Sequence, residues 1–156
     1  MVYWVKRSDI SMMVSTKGRY ALRVMIDLAE HNTGEYIPLG GIAERQNISA
    51  KYLERIISVL AKAGFVRGLR GKGGGYKLTR QPESYTVGSI LKLTEGTLAP
   101  VACLEENAAP CQRAAECRTL LMWQKLDTLI DNFFEGITLS ELTEETKQQA
   151  GDNYII

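Results

Sequence analysis

The sequence predicts a mainly α-helical chain with one small β-hairpin, and three observations carry that expectation. Apolar residues recur three and four apart along most of the chain, the spacing of one helix face. A single glycine-rich turn, Gly71-Lys72-Gly73-Gly74-Gly75, separates two short segments with strand character. The 156 residues suit one principal domain, and 45% hydrophobic with 24% charged residues excludes a disordered chain. No apolar run approaches the roughly 18 residues of a membrane span, so no membrane partner is expected. The net charge of +1 hides a division: residues 1–80 hold 14 Lys and Arg against 6 Asp and Glu, whereas residues 81–156 hold 5 against 12. A basic first half points to a polyanion partner.

Residues 1–12 lack the apolar core of a secretory signal and read as a flexible extension. Ser15 or Thr16 caps a first helix over Thr16 to Glu30, with Ala21, Val24, Met25, Leu28 and Ala29 on one face. Gly34 supplies a left-handed stop and Pro38 opens the next segment. A short helix follows from Leu39 to Arg45. Asn47 suits a left-handed turn, and Ser49 caps a helix with Leu53, Ile56, Ile57 and Leu60 inward. Gly64 ends that helix. Two short helices joined by a tight turn fit a helix-turn-helix, though the segment alone equally fits an αα-hairpin of a bundle. Residues 65–70 and 76–80 then form a hairpin carrying Arg67, Arg70, Lys72, Lys77 and Arg80, with no acid between Glu54 and Glu83. A basic hairpin directly after a helix-turn-helix is the wing of a winged helix. The Ser or Thr of a P-loop is missing after the glycines, and a hairpin rather than a helix follows.

Thr86 and Gly96 bound another short helix, and the cysteines lie in the loop beyond Pro100. A long helix from about Ala114 carries Met122, Leu126, Leu129 and Phe133 on one stripe and Trp123, Ile130 and Phe134 on another. Two stripes imply two partners: the chain's own domain and a second copy of it. Thr138 to Glu141 is a capping box opening a short final helix. The expected organisation is an extension over 1–12, a winged helix-turn-helix DNA-binding domain over 13–97, a cysteine-containing effector loop over 98–118, dimerisation and final helices over 119–146, and a polar tail over 147–156.

In such a fold the early residues of the second helix read base edges while cations and backbone N–H groups hold phosphates. Ser49, Lys51, Tyr52 and Arg55 are the candidates for reading, Lys51 or Arg55 toward guanine and Tyr52 toward a thymine methyl. Lys17, Arg19, Arg67, Arg70 and Lys72 are the candidates for phosphate. Cys103, Cys111 and Cys117 are spaced C-x7-C-x5-C. Three thiolates hold an iron-sulfur cluster or zinc only with a fourth ligand, and the paired cysteines of a zinc ribbon are absent. Three free thiols are the other reading. Their odd number and the missing secretory signal favour a reducing cytoplasm. The one histidine, His31, sits at a helix end, and no Ser/His/Asp set is evident, so no catalysis is expected.

Ser15-Thr16-Lys17-Gly18-Arg19-Tyr20-Ala21-Leu22, Ile42-Ala43-Glu44-Arg45, Ser49-x-x-Tyr52-Leu53-Glu54, Ala63-Gly64-Phe65-Val66 and Arg70-Gly71-x-Gly73-Gly74-Gly75-Tyr76-x-Leu78 resemble the bacterial family that includes the iron-sulfur assembly regulator IscR, the nitric-oxide sensor NsrR and the cysteine-metabolism repressor CymR. The resemblance runs from about Met13 to Glu144. It implies a homodimeric transcription regulator on a pseudo-palindromic operator of double-stranded DNA. It also implies a 2Fe-2S cluster, favoured over 4Fe-4S, at Cys103, Cys111 and Cys117. The first cysteine gap is wider than the family's usual one, and Leu120 stands where the assembly regulators place a histidine ligand. The fourth ligand is thus unassigned, with the partner's first helix or an exogenous thiol as sources. The alternative implied by the resemblance is a repressor without a cluster, controlled by cysteine synthase through the tail residues Tyr154, Ile155 and Ile156.

Overall fold

A computed structural model describes residues 14–152. In chain order these form α1 (Thr16–Glu30), α2 (Leu39–Gln46), α3 (Ala50–Lys62), β1 (Val66–Leu69), β2 (Gly75–Leu78), α4 (Val87–Glu95), α5 (Leu120–Glu135) and α6 (Leu139–Asp152). The fold is therefore the expected mainly helical one with a single antiparallel hairpin. The 1–12 extension and the tail residues Tyr154, Ile155 and Ile156 lie outside the described residues.

The helix starts follow from local chemistry. The Ser15 hydroxyl accepts from the Gly18 N–H at 3.2 Å, Ser49 from Tyr52 at 3.3 Å and Thr86 from Ser89 at 2.9 Å, each satisfying an N–H that the first turn cannot. Thr138 and Glu141 exchange bonds as the capping box requires, at 2.6 and 3.2 Å. Packing then assembles the pieces. Ala21, Val24, Met25 and Leu28 of α1, Leu53, Ile56, Ile57 and Leu60 of α3, and Ile90 of α4 form one buried core, closed by Ile42, Val66, Leu78 and Leu139. Across it, the Glu95 carboxylate at the end of α4 accepts from both the amide and the hydroxyl of Ser15, at 3.1 and 2.7 Å.

The hairpin pairs Val66 with Leu78 and Arg67 with Lys77. Its strands are shorter than residues 65–70 and 76–80, and they acquire an unexpected neighbour. Ile37 and Tyr76 exchange two backbone bonds of 2.9 Å, so the segment before α2 forms a third, one-residue strand. At Gly75, where φ is +152°, a Cβ would overlap the Ile37 carbonyl, which is why the chain needs glycine there.

Two helix boundaries and one cap differ from the sequence reading. Helix α1 spans the expected Thr16–Glu30, but its cap is His31 with ordinary φ, and the left-handed Gly34 lies in the following turn instead. Helix α5 begins at Leu120 rather than about Ala114, because residues 111–119 are all exposed and no packing supports a helical turn there. Helix α6 continues past Lys147 to Asp152, so the first part of the expected polar tail is helical.

Candidate nucleic-acid interface and cysteine loop

The turn between α2 and α3 is held from α1 by a buried carboxylate. Asp27 is fully buried on the apolar face of α1. Arg45 donates to it twice, Nε to Oδ2 at 2.9 Å and Nη2 to Oδ1 at 2.7 Å, and Gln46 Nε2 donates to Oδ2 at 2.9 Å. Burial pushes the Asp27 pKa up, but the hydrogen bonds from Arg45 and Gln46 outweigh it and hold the carboxyl below its ordinary value. Gln46 is itself gripped by Arg23, whose Nε donates to its side-chain oxygen at 3.2 Å and whose Nη2 donates to its backbone carbonyl. Arg23 lies over the Tyr20 ring, and Tyr20 meets Tyr52 of α3 edge-on at 5.7 Å. Asn47 takes the left-handed conformation, φ +51°. These contacts fix α3 relative to α1.

The candidate residues divide by exposure. Lys51 and Arg55 project from α3 and Arg67, Arg70 and Lys72 from the hairpin, all exposed and in no ion pair among the described residues. Such cations are free to meet phosphate or base edges. Arg19 is exposed and donates to Thr16 Oγ1 at 3.3 Å, while Lys17 is half-buried. The Ser49 hydroxyl is occupied as the α3 cap. Tyr52 is half-buried against Tyr20 and the core, leaving its ring only partly available.

The other two cations are engaged within the domain, Lys77 half-buried and Arg80 exposed. Lys77 donates to the Gly34 carbonyl at 2.9 Å and covers the Tyr36 ring, and Arg80 stacks over Tyr85 and Phe65. The Asp27 network was missed by the sequence reading, yet it left a signal: an acid lying within the apolar stripe of α1, between Val24 and Leu28.

Cys103, Cys111 and Cys117 are free and exposed, on a loop whose only regular structure is two short turns, Ala102–Leu104 and Ala114–Glu116. The loop and the end of α4 enclose with α5 a cavity of about 330 Å³ lined by Gly96, Leu104, Ile130 and Asp131. The Thr119 hydroxyl, 3.5 Å from Cys117 Sγ, holds that thiol below its ordinary pKa together with the Thr119 backbone. Three accessible thiols are chemically suited to iron. Among the described residues no three Cys, His, Asp or Glu side chains converge on a point that could hold a metal.

On α5, Trp123, Leu126, Ile130 and Phe134 are half-buried toward the chain's own domain, so Leu126 joins the inner stripe rather than the outer. Leu121, Met122, Leu129 and Phe133 stand 72, 52, 66 and 63% exposed. Lys92 of α4 braces the helix, pairing with Asp131 and with Glu135 at 2.8 Å, and hydrogen bonds from Lys92 and Thr86 hold the Glu135 carboxyl below its usual range.

A braced helix-turn-helix bearing unpaired cations, followed at once by a basic hairpin, defines a winged helix-turn-helix DNA-binding regulator. The chain belongs to the Rrf2 family, described as iron-dependent transcriptional regulators, whose profile matches residues 14–145. It is 38% identical over 142 residues to the HTH-type transcriptional regulator IscR of Aliivibrio salmonicida, covering 90% of this chain and 83% of that one. With IscR of Vibrio cholerae it shares 37% over 131 residues, 84% of this chain and 75% of the relative. Among solved structures it resembles CymR, the global cysteine regulator of B. subtilis, with TM-score 0.69 and 34% identity over 85% of this chain and 97% of that one. It equally resembles T. potens IscR, with TM-score 0.68 and 34% identity over 88 and 90%. The Aliivibrio and Vibrio relatives are named as transcriptional regulators, not as enzymes. No helix among the described residues is long and apolar enough to cross a membrane.

Proposed function

We propose that this chain is an IscR-like regulator that binds a pseudo-palindromic operator as a homodimer and responds to iron-sulfur, redox or nitric-oxide status through its cysteine loop. The observation that carries the reading is the placement of three exposed thiols on a loop resting against α5, the helix whose outer face is unpartnered. Cys103, Cys111 and Cys117 would hold the cluster, 2Fe-2S in preference to 4Fe-4S, with a fourth ligand from the partner's first helix or an exogenous thiol. Bound there, it would supply a group whose gain, loss or oxidation alters how the loop packs. The remaining roles belong to the chain. Leu121, Met122, Leu129 and Phe133 form the dimer face, Lys51 and Arg55 read bases, and Lys17, Arg19, Arg67, Arg70 and Lys72 hold phosphates. A change in the loop is passed to α5 and so biases the relative orientation of two wings, a population shift. The test is anaerobic purification followed by a visible spectrum with iron and sulfide analysis. Visible absorption with stoichiometric iron is expected, and a colourless, iron-free protein after attempted anaerobic reconstitution overturns the cluster.

A second reading is favoured by the likeness to CymR, which extends over 97% of that chain. In it the cysteines are incidental and Tyr154, Ile155 and Ile156 engage a cysteine synthase. Unchanged affinity for cysteine synthase after deletion of those three residues removes it.

A further inference from the structure

Tyr85 stands outside every role assigned above, yet it is the largest fully buried side chain among the described residues and sits where three parts of the fold meet. Its phenol lies at the root of the wing. The hydroxyl donates to the Phe65 carbonyl at 2.7 Å, just before β1, and accepts from the Thr79 and Arg80 amides at 3.1 and 3.0 Å, just after β2. The Thr79 hydroxyl, 3.1 Å from the phenol oxygen, donates to the Gly64 carbonyl at 2.6 Å. One oxygen therefore joins the two ends of the hairpin beside their last backbone bond, from the Thr79 N–H to the Phe65 carbonyl at 3.2 Å. The tyrosine ring packs on Phe65 with centroids 5.5 Å apart, and Arg80 covers both rings.

The backbone of the same residue is tied to the far side of the molecule. The Tyr85 carbonyl accepts from the Leu139 N–H at 2.8 Å, the Val87 N–H donates to the Ile137 carbonyl at 2.9 Å, and Thr86 Oγ1 donates to Glu135 Oε2 at 2.6 Å. Residues 85–87 are thus bonded to the junction between α5 and α6, while the Tyr85 side chain is bonded to the wing. A two-stranded ribbon has little stability of its own, so the bonds at its root restrict how it can pivot about its base.

We propose that Tyr85 is a positioning residue for DNA binding, setting the wing's angle on the duplex by referring its root to the α5–α6 junction. This rests on the reading of Lys72 as a phosphate contact. The experiment is a double-mutant cycle of Tyr85→Phe and Lys72→Ala on one operator duplex, with amide exchange measured at Thr79 and Arg80. Tyr85→Phe keeps the buried ring and deletes the oxygen, so exchange at the Arg80 amide, which loses its acceptor, rises about tenfold or more, while the Thr79 amide keeps the Phe65 carbonyl at 3.2 Å and rises less. In the wild type, Lys72→Ala weakens binding about tenfold, the loss of one charge-assisted contact, and flattens the salt slope by about one unit. In the Tyr85→Phe background the same change weakens binding less than about threefold, because the wing no longer presents Lys72 in register. General destabilisation lowers the folded fraction alike in both backgrounds and leaves this ratio unmoved. Equal losses in the two backgrounds overturn the role of Tyr85 and leave the wing contact standing. No loss from Lys72→Ala in the wild type removes the wing contact and the role of Tyr85 with it. Should Tyr85→Phe not fold, Thr79→Val, which removes the hydroxyl 3.1 Å from the phenol oxygen and with it the wing root's tie to the Gly64 carbonyl, is carried through the same cycle and judged by the same ratios.

Discussion

Replacing Arg45 with alanine tests whether the Asp27 network braces the helix-turn-helix. Asp27 is 0% exposed, and the change removes two of the three hydrogen bonds its carboxylate accepts, leaving the one from Gln46 Nε2 at 2.9 Å, with His31 Nδ1 3.7 Å from Oδ1. Removing one partner of a buried ion pair costs about 3–5 kcal/mol, because a charge is left without compensation. The Arg45 side chain is 37% exposed, so water can follow it out, and the lower end of about 3 kcal/mol is expected. For a chain of this size each kcal/mol moves the melting midpoint by about 2–4 °C, giving a fall of roughly 6–12 °C near pH 7. The pH dependence supplies the sharper check. In the wild type the Asp27 pKa is held below its unfolded value, so its contribution is fully present above about pH 4 and is lost as pH falls through the folded pKa. Without Arg45, burial dominates and raises the folded pKa above the unfolded one. The resulting penalty is absent at low pH and grows as pH rises through that raised value. The gap between the two proteins therefore narrows from pH 7 toward pH 4, and Arg45→Lys, which keeps the charge and loses the fork, falls between them. Thermal melts followed by circular dichroism at matched protein concentration measure it. A midpoint within 2 °C of wild type at pH 7, or a gap that stays constant down to pH 4, would refute the reasoning.

Arg55→Ala should change which half-site variants the protein prefers, by about 1–3 kcal/mol at one base pair, whereas Lys72→Ala should weaken all duplexes alike. Electrophoretic titrations over a panel of half-sites separate the two, and an unchanged preference in Arg55→Ala removes that residue from base reading. Gly75→Ala should cost about 2 kcal/mol or more, since its Cβ would displace the Ile37 carbonyl and break both bonds of the third strand, while Gly71→Ala, at φ +91° with open space around it, should cost only the backbone strain of about 1–2 kcal/mol. Urea unfolding of the two variants gives the comparison, and equal losses would show that crowding at Gly75 is unimportant. Placing Asp at both Leu129 and Phe133 should yield monomer in analytical ultracentrifugation with the helical circular dichroism retained, because both side chains lie outside the core of the single chain. A dimer that survives the double change would move the interface off α5.

The helix starts were legible because a capping bond reaches only three residues along the chain. Ser15, Ser49, Thr86 and the Thr138–Glu141 pair each cap as their position in the sequence suggests. The start of α5 was not legible in the same way, since alanines at 114 and 115 favour helix locally and only the lack of any packing surface over residues 111–119 leaves them in turns. The glycine-rich hairpin was likewise visible, but Ile37 carries no mark in the sequence of pairing with a residue 39 positions away. The basic stretch after Glu54 was equally plain, and it could not be divided into working and structural cations.

By itself, then, the sequence determined the class of fold, the helix-turn-helix and its wing, the basic half and the three thiols, because periodicity, caps, turns and charge are properties of neighbouring residues. Only the tertiary structure decided that Arg67, Arg70 and Lys72 stay free while Lys77 and Arg80 are engaged by neighbouring groups, that Tyr52 leans on Tyr20, and that Asp27 and Tyr85 hold the turn before α3 and the wing root. Those outcomes depend on partners 5 to 43 positions distant. A buried polar group must find such partners in space to offset its lost hydration, and the chain order does not state where they are.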